Sequence, residues 1–438
     1  MTFDSQKERK TQSKSFHVSV VGGGLCGLAC AVYLSRAGFK VDVFESAVGP
    51  NALRALEEMG LKEAVIAHAN RAVPALTPFN FVSAKDGHQN IHTYQLRPED
   101  KTLGIQRASC LNALAGLLDT ALIHFNKRCT LVSQENGSRP VIHFRDGTTF
   151  ETDVVIGTDG LKSAVRQAVT GRNQGVVFTK VVTYRTLLPF SDVGRVGIRT
   201  NLADDPHCFV GTDKVNIIRG FFRLATISYL PQHIITYPIK GGEILNVVIF
   251  LTNYSPPNGS MEIPPEKWVT PASKEEILDN FLDCGPDVKK ILSLTRPCNK
   301  WHIHAVDPPL SSYVRGHIAL VGDSAHAMTP HLGSGIGQGL EDALILCRLL
   351  THPNTNLCNI QEAFRAYDTV RLPRANMVLK RSAWAGTLYG SLPNNRDDTA
   401  CFENLRSNLT ALWEPVWHYN IQEDLSAAMD MLRGEEIL

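Results

Sequence analysis

The sequence has almost no net charge and no arrangement of side chains that reads as a metal site. Its 438 residues carry 44 Lys and Arg against 43 Asp and Glu, a formal charge of +1. That balance argues against a surface for nucleic acid or another polyanion. Ten cysteines are scattered, with no C-x-x-C pair and no His/Cys spacing of a zinc centre. Cys26 and Cys30 fall in a helical stretch, where reduced, buried thiols are the default. No secretory leader pattern opens the sequence, and residues 1–14 (MTFDSQKERKTQSK) read as a polar, disordered tail. The most apolar window holds a glycine-rich strand–turn–helix, so it reads as core and not as a membrane span. Internal repeats and low-complexity tracts are absent. A soluble cytoplasmic protein without nucleic-acid, membrane or metal partners is expected. With 43% apolar residues it can bury a large core, divided over two or three domains. Oligomeric state is left open.

What the sequence does contain is concentrated between Phe16 and Glu45 (FHVSVVGGGLCGLACAVYLSRAGFKVDVFE). An apolar strand over His17–Val21 leads into glycines, a helix over Leu25–Ala37 and a second strand that ends in an acid. Gly22, Gly24 and Gly27 fit G-x-G-x-x-G in the strand–turn–helix setting that gives the pattern meaning. Gly22 makes the tight turn, Gly24 lets a pyrophosphate approach the backbone, and Gly27 lets helix and strand pack closely. The helix start presents N–H groups and positive dipole to phosphate. Glu45 is placed to accept an adenosine ribose and to repel a 2′-phosphate.

Further along, Pro50 and Asn51 suit a helix start and Gly60 its C′ position. Residues 71–103 read as strands and loops. Ser109 is expected to cap a helix with leucines at 111, 114, 117 and 118 on one face; Arg107, just before it, reads alone as a surface residue. Thr130–Ile142 and Thr148–Val155 are expected to pair about the Asp146-Gly147 turn. The second runs into GTDGLKSAVR at 157–166, a polar turn at the carboxyl edge of a sheet, where open α/β folds bind ligands. Residues 176–255 read as mostly strand, 253–271 as a Pro-rich loop, and Lys274–Leu294 as two short helices broken at Gly285-Pro286. A strand at His317–Val321 precedes GDSAHAMTPHLGSGIGQGLEDA, with a long helix from about Gly335 whose N-terminus suits an anion. Helices through 360–390 are expected to break at Pro373, with a peripheral helical tail over 400–438.

Three separated motifs, GGGLCG with Glu45, GTDGLKSAVR and GDSAHAMTPHLGSGIGQGLEDA, resemble those of the single-component FAD-dependent aromatic hydroxylases typified by para-hydroxybenzoate hydroxylase. PNALRAL, KWHIHAVDPPLSSYVRGHIALVGD and WHYNIQEDL resemble the fungal salicylate-hydroxylase-like branch. The resemblance spans nearly the whole chain from residue 16. It implies an α/β, Rossmann-type FAD-binding fold with an antiparallel β-sheet substrate domain and C-terminal helices. The implied division is a tail (1–14), FAD-binding segments at 15–72, 104–175 and 297–390, substrate-domain segments at 73–103 and 176–296, and a C-terminal helical segment at 391–438.

The resemblance also assigns roles. Glu45 holds the adenosine ribose, Arg107 contacts the dinucleotide, and Asp323 binds the ribityl hydroxyls. Asp159 and Arg166 belong to a motif linked to FAD and to the nicotinamide cofactor. Gly333, Gly335 and Ile336 pass under the flavin, where a helix start stabilises the negative charge of the reduced ring by roughly 0.3–2 kcal/mol. NADH or NADPH is then a transient reductant and O₂ the co-substrate, with oxygen passed to an electron-rich ring from a hydroperoxide at flavin C4a. A phenolate needs a cation or donor beside it. Arg185 in VVTYRTLLP and Tyr237 in HIITYPIKGG are the candidates, each with a plain alternative as an ordinary strand residue. His331 is a candidate substrate or proton-relay residue on the premise of a near-neutral pKa, its alternative being packing; His326 reads as packing.

Two features depart from the family pattern. Only residues 46–50 separate Glu45 from the next helix, where relatives carry a longer flavin-lining segment. Val215–Gln232 (VNIIRGFFRLATISYLPQ) is extra, apolar and without a turn signal. Its ends suit the borders of an unspliced intron, which the sequence of the mature transcript decides. Two other readings therefore stand beside monooxygenase: a flavin-dependent dehydrogenase or oxidase of the same fold, and a non-catalytic nucleotide-binding relic.

Overall fold

β-Branched runs bounded by glycine and proline give the molecule two large sheets, between which the chain passes repeatedly. A computed structural model describes residues 16–434 except 46–57, 62, 64–77, 96, 98–106, 136, 172–174, 212–214, 219–225, 230–231, 240–241, 253–266 and 393–398. The first unit is β1 (His17–Val21), α1 (Leu25–Arg36) and β2 (Lys40–Glu45). Next come β3 (Phe79–Ser83), β4 (Asn90–Tyr94), α2 (Arg107–Ala115), β5 (Ile123–Phe125) and β6 (Cys129–Ser133). They are followed by β7 (Val141–Phe144), β8 (Thr149–Glu151), β9 (Val154–Gly157), α3 (Val165–Thr170), β10 (Val176–Pro189) and α4 (Phe190–Arg195). The middle holds β11 (His207–Val210), β12 (Val215–Ile218), β13 (Thr226–Tyr229), β14 (Gln232–Ile239), β15 (Ile244–Thr252) and β16 (Val269–Ala272). Two short helices, α5 (Lys274–Asp279) and α6 (Pro286–Ser293), lead to β17 (Cys298–Val306), β18 (Val314–Arg315) and β19 (Ile318–Leu320). The chain closes with α7 (Asp323–His326), α8 (Gly335–Thr351), α9 (Ile360–Tyr389), α10 (Thr399–Thr410), α11 (Glu414–Trp417) and α12 (Ile421–Arg433).

One sheet has six strands in the order β18-β19-β9-β1-β2-β5. It is parallel except for β18 against β19. Its strands β19 and β9 are apolar, and β1 is buried along its whole length, as strands covered on both faces are. The other sheet has eight strands, β16-β17-β10-β15-β14-β11-β3-β4, antiparallel except where β3 runs beside β11. One of its faces packs Tyr184, Ile234, Val247 and Ile249 against Ile277, Val288 and Ile291 of α5 and α6. The two helices divide at Gly285-Pro286 as expected, with Gly285 the N-cap and Pro286 in the first turn.

Several expectations change. The pair about Asp146-Gly147 is the hairpin β7–β8 of a small three-stranded sheet, and β9 leaves it to enter the parallel sheet. The run after Thr152 is apolar enough for a doubly covered strand, which decides its membership. α2 begins at Arg107, so Ser109 lies inside the helix and does not cap it, although Leu111, Leu114 and Leu118 are buried. Val269–Ala272, which overlaps the end of the loop read at 253–271, is an edge strand on β17. β17 itself belongs to the eight-stranded sheet, past the boundary read at 297. Val215–Ile218 and Thr226–Tyr229 pair with each other as a separate two-stranded sheet, whereas Gln232 already belongs to β14. The helix start at Pro50 and Asn51 and the link 46–50 lie outside the described residues.

Helix α9 is not broken at Pro373; it runs 30 residues through it. A proline inside a helix costs about 3 kcal/mol, and buried Arg371 and Arg374, on either side, tie this turn to α8. Nor is the tail peripheral. Leu405, Leu409, Leu412, Trp413 and Val416 share a buried cluster with Phe81 and Tyr389.

Candidate active site

Strand order sets the first part of the site. β19, β9, β1 and β2 are neighbours, so the loops after Leu320, Gly157 and Val21 meet at one carboxyl edge, where Glu45 ends β2. Arg107 opens α2, which packs against α1. Gly22 has φ +113, and a Cβ there would lie 2.4 Å from the Thr158 carbonyl oxygen. A Cβ on Gly27 would lie 2.0 Å from the Gly22 carbonyl oxygen, so the helix packs onto the turn through bare backbone. Gly24, by contrast, has nothing within 4 Å of its Cβ position and leads into the N-terminus of α1. A crowded turn with an open approach to a helix start fits a dinucleotide pyrophosphate.

The second and third motifs are bolted to that turn and to each other. Thr158 donates from its N–H to Val21 O at 2.8 Å and from Oγ1 to Gly22 O at 2.6 Å. Arg166 is 3% exposed. Its guanidinium donates to the carbonyls of Ser324 (2.7 Å), Asp323 (2.9 Å), Leu161 (3.0 Å) and Gly160 (3.3 Å). Ser324 Oγ donates to Gly157 O at 2.6 Å. Asp159 accepts from Ser163 Oγ (2.5 Å) and from the N–H groups of Ala164 (2.7 Å) and Val165 (3.2 Å), at the start of α3. Burial raises its carboxyl above the ordinary range despite those donors. Asp159 and Arg166 thus hold the loops of the rim in place.

Asp323 is exposed, and its Oδ1 lies 3.9 Å from where a Cβ of Gly335 would sit, so it faces the start of α8. Gly333 has φ +62 and leads through Ser334 into Gly335 and Ile336, both half-buried. The first N–H groups of α8 have no intrahelical partner and present positive dipole at this rim. Dinucleotide turn, Asp323 and the α8 N-terminus lie on one edge and fit FAD.

Helix α9 braces the third motif along its length. Tyr367 donates to Leu320 O (2.7 Å), Arg371 to Asp342 (2.9 Å) and Ser382 to Thr329 O (2.5 Å). Gly386 makes room for His331: a Cβ there would lie 2.5 Å from His331 Nε2. His326 is fully buried on Asp342 at 2.6 Å, the packing role expected of it.

The second part of the site is a face of the eight-stranded sheet. Register aligns Trp301, Thr183, Phe250 and His233 across β17, β10, β15 and β14. The next row on that face is Arg185, Val248 and Ile235, and the next Leu187, Asn246 and Tyr237. Arg185, which is exposed, donates to Asn246 Oδ1 at 3.4 Å, and Asn246 lies opposite Tyr237. The structure therefore brings Arg185 and Tyr237 to one patch. His331 joins this face at its inner end, its ring centroid 5.2 Å from His233 and 5.1 Å from Phe250.

That inner end is buried and its polar atoms lack partners. Both ring nitrogens of His233, Nδ1 of His331 and the Tyr389 hydroxyl are buried there without a hydrogen bond, as is Nδ2 of Asn246 two rows away beside Arg185. Burial pushes the His331 ring down to about 3. Burial, and secondarily the neighbouring His331, also holds His233 well below its ordinary value. The near-neutral pKa expected of His331 does not hold; a ring taken out of water keeps its neutral form. His233, absent from the sequence-based candidates, lies four residues before Tyr237 in one strand, and the two-residue period of a strand puts it on Tyr237's face.

Among the described residues no group of His, Cys, Asp and Glu is placed to hold a metal, and no helix is long and apolar enough to cross a membrane.

Comparison with known proteins agrees with this geometry. Residues 20–54 match the NAD(P)-binding Rossmann-like domain, and residues 265–382 match the FAD binding domain. A salicylate hydroxylase of Pseudomonas putida is 32% identical, over 97% of this chain and 98% of its own. A 6-methylsalicylate 1-monooxygenase of Aspergillus terreus is 31% identical, over 93% of this chain and 88% of its own. A solved salicylate hydroxylase substrate complex superimposes with a TM-score of 0.78 at 27% identity, covering 95% of this chain and 98% of that one. Use of NAD(P)H is typical of the family. The chain belongs to the FAD-dependent aromatic hydroxylases and is an FAD-dependent aromatic monooxygenase.

Proposed function

We propose that the substrate is a phenolic aromatic acid of the salicylate type, held on the sheet face between Arg185 and His331. The observation that carries this is the run of buried, unpartnered polar atoms along the face, on His233, His331 and Tyr389 at its inner end and on Asn246 beside Arg185. Such atoms cost about 1–3 kcal/mol each when left unsatisfied, and a ring bearing a hydroxyl supplies the missing partners. Arg185, at the open end, takes the ionised group as a planar fork. Tyr237 donates to, or takes a proton from, the substrate oxygen through its hydroxyl. His331, neutral, serves as a hydrogen-bonding wall and a poor proton acceptor.

FAD supplies the redox and oxygen chemistry when bound at the rim. Glu45, Arg107 and Asp323 are assigned to its ribose, dinucleotide and ribityl parts, and Gly333, Gly335 and Ile336 to the edge of its ring. The overall balance consumes one NADH or NADPH, one proton and one O₂, and yields hydroxylated ring, NAD(P)⁺ and water. Sheet membership supports a dinucleotide half formed by 15–72, 104–175 and the strands after Val306, with the eight-stranded sheet forming the substrate half, on which α10 and α11 pack. A cytoplasmic setting, where the reductant is made, completes the reading.

Oxygen uptake against a panel of phenols and hydroxybenzoates, with each reductant, tests the proposal. At least one aromatic acid should accelerate NAD(P)H oxidation and give a hydroxylated product. Turnover yielding only peroxide or a desaturated product would favour a dehydrogenase or oxidase, and protein that takes up no FAD would favour a relic. Arg185→Ala should raise KM for the aromatic acid ten- to a hundredfold, the loss of a charged hydrogen bond of about 1.5–3 kcal/mol, with FAD content unchanged.

A further inference from the structure

We propose that Arg371 is a positioning residue for the flavin loop, coupling the C-terminal helix α12 to the backbone that carries Asp323. Its guanidinium is fully buried and makes four hydrogen bonds and a further ion pair. Nε donates to Asp342 Oδ1 at 2.9 Å. Nη1 reaches Glu341 Oε2 at 2.8 Å and Asp424 Oδ2 at 3.4 Å. Nη2 donates to the carbonyl and the side-chain oxygen of Gln338 at 3.2 and 2.9 Å.

The other oxygen of Asp342 does the positioning. Oδ2 accepts the backbone N–H of Gly322 at 2.9 Å and lies 2.6 Å from His326 Nε2, so one carboxylate grips both ends of the turn that presents Asp323. Asp342 can hold that orientation only while Oδ1 is fixed, and Arg371 fixes it. On the far side Asp424 of α12 holds Arg371, and Tyr419 donates to Asp424. The line Asp424–Arg371–Asp342–Gly322 therefore runs from the tail of the chain to the rim, each link a hydrogen bond between buried or half-buried groups. The opposite side of the loop is held by Arg166 on the carbonyls of Asp323 and Ser324. Between these clamps the loop has one position, which sets where Asp323 stands relative to the start of α8.

Arg381 supplies the control. It lies ten residues further along the same helix and is half-buried. It donates to the carbonyls of Leu412 and Ala411, away from Asp342, Glu341 and Asp424. The inference rests on FAD binding at the rim, so the readouts are the FAD dissociation constant from flavin fluorescence, the visible spectrum of bound flavin and peroxide released per NAD(P)H consumed. Arg371→Lys keeps the charge and loses the fork. It should raise the FAD dissociation constant on the order of tenfold, within the range of site-to-site couplings, shift the flavin spectrum and increase peroxide release. Asp424→Asn should do the same more weakly, and carries the test if Arg371→Lys fails to fold. Arg381→Lys should lower the thermal midpoint yet leave FAD affinity as in the wild type. If all three variants lose affinity only in proportion to lost stability, or if Arg371→Lys and Asp424→Asn bind FAD normally, Arg371 is merely structural and the proposal is overturned. A wild-type protein that takes up no FAD overturns the flavin reading and the proposal with it.

Discussion

The two halves of the site treat polar groups in opposite ways. At the parallel-sheet rim, Thr158, Asp159, Arg166, Ser324 and Asp342 are bonded to the backbone of neighbouring loops. On the antiparallel face, His233, His331, Tyr389 and Asn246 are buried with atoms unspent. The rim is bonded almost throughout, with His326 Nδ1 and Ser19 Oγ as its buried exceptions, which suits a group that stays bound. The face is left incomplete, which suits a molecule that comes and goes and is recognised by completing it. Rigidity and hunger for hydrogen bonds are thus assigned to different sheets.

The contrast is broken most severely by crowding the rim. Gly27→Val would drive a side chain against the Gly22 carbonyl, 2.0 Å from the Cβ position, and backbone cannot move aside. Overpacking of about 3 kcal/mol corresponds to a loss of about a hundredfold or more in FAD affinity. The flavin-to-protein absorbance ratio after reconstitution checks it.

Gly386→Ala strikes the other half alone. The new methyl would meet His331, which is buried and has no room to turn. The expected outcome is an increase in KM for the aromatic substrate of about tenfold, or about 1–2 kcal/mol, with FAD content unchanged. A parallel loss of flavin would erase the separation between the halves.

Acid should sharpen the comparison without any substitution. His331 has a folded pKa of about 3, against about 6.5 when unfolded. The unfolded chain therefore binds the extra proton, so stability is present above pH 6.5 and is lost as pH falls towards 3, by about 1.4 kcal/mol per unit. In the parallel sheet, burial tends to raise the Asp42 carboxyl, but hydrogen bonds from His17 and His124 hold it below its ordinary value. Its contribution stays intact until the pH drops below about 4, and fades as the pH falls through the folded value. Thermal unfolding at successive pH values should show wild type weakening between pH 6.5 and 4.5, and His331→Phe weakening less over that window.

The rim was legible in the sequence because each part carries its own local signal. Glycine spacing, a β-branched strand and a helix start fix Gly22, Gly24 and Gly27 without knowledge of anything distant. The same holds for α8, whose glycines and long apolar face announce it. What escaped was decided by tertiary contacts. Val154–Gly157 looks like the second arm of a hairpin until it is seen as a covered strand of the other sheet. Pro373 reads as a break because local propensity says so, and buried arginines overrule it. Ser109 reads as a cap because nothing in the text reveals that the helix starts earlier. His233 was readable in principle, from alternation with Tyr237, but its burial against His331 depends on a loop nearly a hundred residues away. Arg166 shows a different limit: the motif was visible, while its work as a cross-brace lies in carbonyls that have no sequence signature.

The unbroken α9 has a metrical consequence. Arg371 steadies the cofactor loop and Tyr389 closes the far wall of the aromatic site, and both hang from the same rod. At 1.5 Å per residue their separation along the axis is about 27 Å, a length counted in peptide units. Adding or deleting a single residue between them would rotate one attachment by about 100° relative to the other. The stretch from Arg371 to Tyr389 therefore tolerates substitution far better than a change of length, since it works as the gauge that keeps two chambers in alignment.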